Sequence, residues 1–241
     1  LLRRITAADQ DDRMPPPSDG EALSDEQIDI LRAWVKQGAA WPTFWSLTPI
    51  VRSPLPDVAK PHPIDRFIAH TRRLHDISGS HEATSSDLVR RVSFSLTGLP
   101  PTVEEVERFI NDRRAGAYER MVDRYLASPR YGEHMAVFWL DLARYADTNG
   151  FHADNHREMW RWRDWVIESW NRNQPYDEFT LHQLAGDLLE DVDSETRLAT
   201  GFHRNTMVMF ENGALPEEFL PKYVSDRVAT TATVWLGQTF Q

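Results

Sequence analysis

Thr97-Gly98-Leu99-Pro100-Pro101-Thr102-Val103-Glu104-Glu105 decides the fold, because it ends one helix and begins the next within a few residues. Gly98 suits a helix C-terminus, and the two prolines bar continuation: Pro lacks the amide hydrogen and disfavours helix in the residue before it. Thr102 through Glu105 then matches a capping box, in which residue and backbone satisfy each other's first-turn donors. Val106, Phe109 and Ile110 follow on one face at helical spacing.

The same punctuation recurs in both directions. Upstream, a helix runs over about Ser86 to Leu96, and Pro63 suits the first turn of a helix carrying Ile64, Phe67, Ile68 and Leu74. Downstream, Tyr118 to Leu126 is a helix ended at Ser128-Pro129. Longer helices are expected at 133–146 and 158–172. Phe138, Trp139 and Leu142 should face inward in the first, and Trp162, Trp165, Val166 and Trp170 lie at helical spacing in the second. Asp177 reads as the N-cap of a helix through Leu188, and Pro216 opens one through Val228 to Trp235. No alternating strand pattern of useful length occurs. The expected fold is all-α, a multi-helix single domain over residues 63–241.

Residues 1–42 read as a small unit of their own. Arg13-Met14-Pro15-Pro16-Pro17 must be extended, Ser24 to Gln27 matches another capping box, and Ile28, Leu31 and Val35 with Trp34 stripe a short helix ending at Gly38. Residues 43–62, with Pro49, Pro54, Pro56 and Pro61, read as a linker with room for one short strand.

The composition, 41% hydrophobic and 27% charged, is that of an ordinary globular protein. Net charge is −10, which argues against nucleic acid, since phosphate binding needs a surplus of Lys and Arg. Arg157-Glu158 and Arg163-Asp164 alternate in sign and make no basic patch. The absence of cysteine removes disulfides, thiolate metal sites and cysteine nucleophiles together. No apolar run approaches the roughly 20 residues of a membrane span. Both ends, Leu-Leu-Arg-Arg and Gln-Thr-Phe-Gln, read as cut, so the location of any targeting signal is left open.

Arg144, Tyr145, Asp147, Asn149 and Asp154 crowd one helix end, Arg163 and Asp164 follow, and His203, Arg204 and Asn205 sit in a later turn. Such groups can converge on a ligand cleft, with His203 as a proton shuttle or ligand; the competing reading is an ion-pair and capping network that fixes helix packing. The segments 144–154 and 203–211 are expected at one end of the domain. Catalytic candidates are Asp147, Asp154, His203 and Arg144, and Asp147, Asp154 and His203 would be the core of a metal-dependent hydrolase. His152 and His156 stand at the i, i+4 spacing that can hold Zn²⁺ with a third ligand, although Asn149-Gly150 favours an exposed polar loop. Trp162, Trp165 and Trp170 read as core, and Trp160, off that face, as exposed. No Gly-rich phosphate loop, Gly-x-Ser-x-Gly elbow or His-Glu-x-x-His is present.

In order, Leu96 to Thr102, Tyr118 to Asp123, Ser128-Pro129-Arg130-Tyr131-Gly132-Glu133, Trp139 to Asp147, Arg163-Asp164-Trp165-Val166, Pro175-Tyr176-Asp177, Gln183 to Leu188, Gly201 to Met207, and Asp226-Arg227-Val228 leading to Trp235-Leu236-Gly237 resemble one family. It is the domain of unknown function that follows the cytochrome c module in planctomycete-type cytochromes. Met14-Pro15-Pro16, and Trp34 through Gly38-Ala39 to Trp41-Pro42, resemble the tail of that module. The resemblance implies Met14 as distal axial haem ligand and haem c in the full-length protein, attached by Cys-x-x-Cys-His motifs flanking this chain. No haem is expected in these residues, and 1–42 should be poorly packed without it. Where the family usually shows Glu-Gly-Gly, this chain has Glu211-Asn212-Gly213, which leaves the role of that loop open. The implied function is an extracytoplasmic module, periplasmic or secreted, supporting electron transfer or haem-linked oxidation beside flanking cytochrome-type domains or a redox partner. The alternatives are a redox-silent module binding polysaccharide or a partner protein, and the hydrolase above.

Overall fold

The computed structural model describes residues 1–211 and 215–240. Among these every regular element is helical, and two isolated β-bridges take the place of any sheet. The all-α expectation holds. The chain forms two compact units, Leu1–Gly79 and Ser80–Gln241.

The first unit holds α1 (Leu2–Ile5), α2 (Asp25–Lys36), a single 3-10 turn at Trp45–Leu47, and α3 (Pro63–Leu74). The 3-10 turn occupies the stretch where a short strand had room. Ser24 caps α2 with the reciprocal Gln27 bond that the sequence announces, and Pro63 stands in the first turn of α3. Ile5 is the one buried side chain of residues 1–42. Trp34 donates its indole N–H to the Ala40 carbonyl at 3.0 Å and meets Trp41 edge to face.

The second unit is built around two apolar clusters. Helices α4 (Ser85–Thr97), α5 (Val103–Asn111) and α6 (Ala117–Leu126) enclose Val89, Phe109, Met121 and Tyr125. Gly98 ends α4 in the left-handed region, and Thr102 and Glu105 close the capping box that starts α5. The larger cluster lies among α7 (Pro129–Leu142), α8 (Trp160–Asn171), α9 (Tyr176–Ala185) and α10 (Ser194–Ala199), with Trp139, Trp162, Trp165, Phe179 and Phe202 as its bulk. Helix α11 (Pro216–Thr231) runs on into a π-helical turn to Leu236.

Helices α7 and α8 pack closely, and Gly132 explains how. A Cβ there would sit 2.4 Å from the Ile167 carbonyl oxygen, so only glycine lets the two backbones meet. The contact stripe of α7 is therefore Gly132, Ala136, Trp139 and Ala143, spaced by three and four. Phe138 and Leu142 sit one residue off it, about 100° round the helix, and are 58% and 51% exposed. This corrects the expectation that they face inward. The bounds of α7 shift too: Ser128 caps it, Pro129 opens it, and Arg144 at φ 59° ends it before residue 146. Asp177 lies in the first turn of α9 instead of capping it, and the helix stops at Ala185 before a 3-10 turn, Gly186–Leu188. Helix α10, capped by Asp193, had no counterpart in the periodicity because it is short. Trp162, Trp165 and Trp170 join the core as expected, and Trp160 is 42% exposed.

Candidate functional site

The segment between α7 and α8 holds itself together through its own backbone. Asp154 accepts the Gly150 N–H at 2.7 Å, and its carboxyl is held below the usual range by the Thr148 side chain and then by that N–H. Asn149 is buried, and its amide N–H and side-chain nitrogen both donate to the Asn155 carbonyl. A Thr148–His156 bridge completes the turn.

The turn after α10 is carried to this segment by one arginine. Arg157 donates from Nη1 to the carbonyls of Arg204 at 3.1 Å and Thr206 at 2.8 Å, and from Nη2 to that of Asn205 at 3.3 Å. The Val208 N–H donates to the Asn149 carbonyl at 3.0 Å, beside a parallel Gly150–Val208 bridge. Segments 144–154 and 203–211 are thus in direct contact. Burial, and then the neighbouring Arg204 charge, push the Arg157 guanidinium below its ordinary pKa.

A cleft of about 770 Å³ opens over this junction. Asn149, Arg157, Glu158 and Met159 supply one wall, His203, Arg204, Thr206, Val208 and Phe210 another, and Asp187, Tyr223 and Arg227 close it. Its size is within the range of small-molecule sites. His203 places Nε2 3.3 Å from the Leu184 carbonyl, which can only accept, so Nε2 is the donor of that bond. Tyr223 accepts the Met209 N–H on its hydroxyl at 2.7 Å, which orients the phenol.

Behind the cleft lies a recess of about 10 Å³ that shares His203, Thr206 and Arg227 with it and adds Arg144 and Asn205. Arg144 pairs with Asp226 at 2.5 Å and reaches Thr230, while Thr206 donates to the other Asp226 oxygen. Burial alone would raise the Asp226 pKa, but the bonds from Thr206 and Arg144 outweigh it and hold the carboxyl below its ordinary value. Asn205 is 4% exposed, and neither its side-chain oxygen nor its nitrogen has a partner.

Of the four catalytic candidates, His203 lines the cleft and Arg144 the recess. Asp147 and Asp154 line neither. Asp147 accepts the Tyr145 hydroxyl at 2.6 Å; burial and then this bond push that phenol up to about 12. His152 pairs with Glu211 at 3.2 Å on the surface. Among the described residues no group of three His, Cys, Asp or Glu is placed to hold a metal ion. The Asn212-Gly213 departure lies outside the described residues. Sequence reasoning passed over Arg157 and Glu158 as simple charge alternation. Tyr223 carries no local signal of a site, and Asp226-Arg227 is legible only as a motif. Their common signal, polar residues in three separated motifs, shows no convergence until the chain folds.

Met14, the haem ligand implied by resemblance, lies in the first unit. Its side chain is 42% exposed, and its N–H is fixed on the Arg4 carbonyl at 3.0 Å. With no cysteine in the sequence, covalent attachment would come from another segment.

No described helix is long and apolar enough to cross a membrane. No curated protein and no solved structure matches the chain. The model of the PSCyt2 family, described as protein of unknown function (DUF1549), matches residues 63–241. That is well over half of the chain, which therefore belongs to the PSCyt2 family, the planctomycete cytochrome-associated domain.

Proposed function

We propose that this domain is the ligand-binding module of a periplasmic or secreted, multidomain c-type cytochrome protein, with residues 1–42 the tail of a cytochrome c module, 43–62 a linker, and 63–241 the binding domain. The observation that carries the reading is the cleft over the Arg157 junction, which two distant segments build together. A haem held by the flanking cytochrome-type domains would supply electron transfer, and Met14 would offer it an axial thioether. This chain's own residues would bind and orient a ligand in the cleft, with Nδ1 of His203 available to accept a proton from it.

The deciding experiment is a haem stain and visible spectrum of the full-length protein from a host with cytochrome c maturation, with and without Met14→Ala. Covalent haem whose spectrum changes with Met14→Ala supports the reading. Absence of haem would leave a redox-silent binding module, a reading that the cleft supports by itself.

A further inference from the structure

The cleft concentrates a charge that the chain as a whole opposes. Asp and Glu outnumber Lys and Arg by 37 to 27, yet Arg157, Arg204 and Arg227 all line this one site. Their roles differ. Arg157 spends its guanidinium on the carbonyls of residues 204–206, so it is a fixed positive charge and a strut. The side chains of Arg204 and Arg227 make no ion pair or hydrogen bond among the described residues. Glu158 and Asp187 line the same cleft, and neither lies within ion-pair distance of them. Two guanidinium groups without an ion-pair partner among the described residues therefore line the same cleft as a third that is held in place. Like charges so placed repel one another, and an anion between them relieves the repulsion.

A second observation points into the same site. The Asn205 amide is buried without a partner, and the recess it lines shares His203, Thr206 and Arg227 with the cleft. Orphaned buried amides are rare, because each costs the desolvation of a polar group. The recess has room for about one water, which a ligand's polar group could hold or replace.

We propose that the cleft binds a small hydroxylated ligand by an oxyanion, a carboxylate or a sulfate, seated on Arg204 and Arg227. Guanidinium forks match both groups, because they donate two parallel hydrogen bonds to paired oxygens. Glu158 and Asp187 accept from the ligand's hydroxyls, and Phe210 and Tyr223 cover its apolar face. A sugar acid or a sugar sulfate has all three features. The inference rests on the reading of this cleft as the binding site and adds the class of its ligand.

Isothermal titration of the full 241-residue chain with D-glucuronate, glucose 6-sulfate, D-glucose and inorganic sulfate tests it. One of the two acidic sugars should bind, D-glucose at least about tenfold more weakly, and binding should weaken with added salt. Which acidic sugar binds separates the carboxylate from the sulfate. Arg227→Ala and Arg204→Ala should each weaken binding about 10- to 100-fold. Both side chains are exposed, so unchanged melting temperatures should show that the variants fold. Equal binding of D-glucose, untouched by either variant, would overturn the oxyanion inference and leave the cleft as a site. Failure of both acidic sugars to bind, with amide NMR showing no shifts at Asn149, Arg204 or Val208, would overturn both.

Discussion

Arg157 and Thr206, 49 residues apart in the chain, are joined by a 2.8 Å hydrogen bond from the guanidinium to the carbonyl. With its bonds to the carbonyls of residues 204 and 205, this one side chain fixes two irregular segments that have no sheet to hold them. Lysine keeps the charge but cannot serve three acceptors in a fixed plane. Arg157→Lys should lower stability by about 2–4 kcal/mol, since several charge-assisted bonds are lost together. Urea unfolding measures the loss, and amide exchange at Val208 should speed up. A variant with wild-type midpoint and exchange would end the strut interpretation.

Trp139 and Gln183 form a buried pair. The indole donates to Gln183 Oε1 at 2.9 Å, and Gln183, fully buried, returns its own nitrogen to the Phe179 carbonyl. Gln183→Leu keeps much of the volume but orphans the indole N–H, at a cost of about 1–3 kcal/mol. A melting point equal to wild type would mean that the bond contributes nothing.

The α7–α8 approach depends on Gly132. Besides the Ile167 carbonyl, an added Cβ would meet Asn171 Oδ1 at 2.6 Å, the atom that accepts the Gly132 N–H. Gly132→Ala should destabilise by about 1–3 kcal/mol or more, as overpacking does. Because Ala ordinarily favours helix over Gly, a stabilised variant would contradict the geometry directly.

Asp112 is bound by Arg114 at 2.8 Å and Arg120 at 2.8 Å. Hydrogen bonds from Arg114 and then Arg120 hold its carboxyl far below the ordinary value of 3.8. A pKa lower in the folded than in the unfolded chain gives stability that is complete above the unfolded value and lost as pH falls through the folded one. Asp112→Asn should therefore melt earlier than wild type near neutrality, and the gap should narrow below roughly pH 4. A gap that stays constant down to pH 2 would show that the ion pairs do not set it.

Much of this protein could be read directly from its chain. The capping boxes at Ser24 and Thr102, Pro63 and Gly98 fix helix ends through bonds among neighbouring residues, so the letters suffice. Local stripes also marked Trp162 and Trp165 as core. Tertiary structure alone decided which face of α7 turns inward, because that depends on a backbone approach at Gly132 that periodicity cannot register. It also decided the site. Arg157 sits beside Glu158 in sequence and looks like surface alternation, yet its guanidinium is used 49 residues away. Arg204 and Arg227 reach the same cleft from a 3-10 turn and from α11. Hydrogen bonds between distant segments carry no local sequence period, and so the helices were legible where the cleft was not.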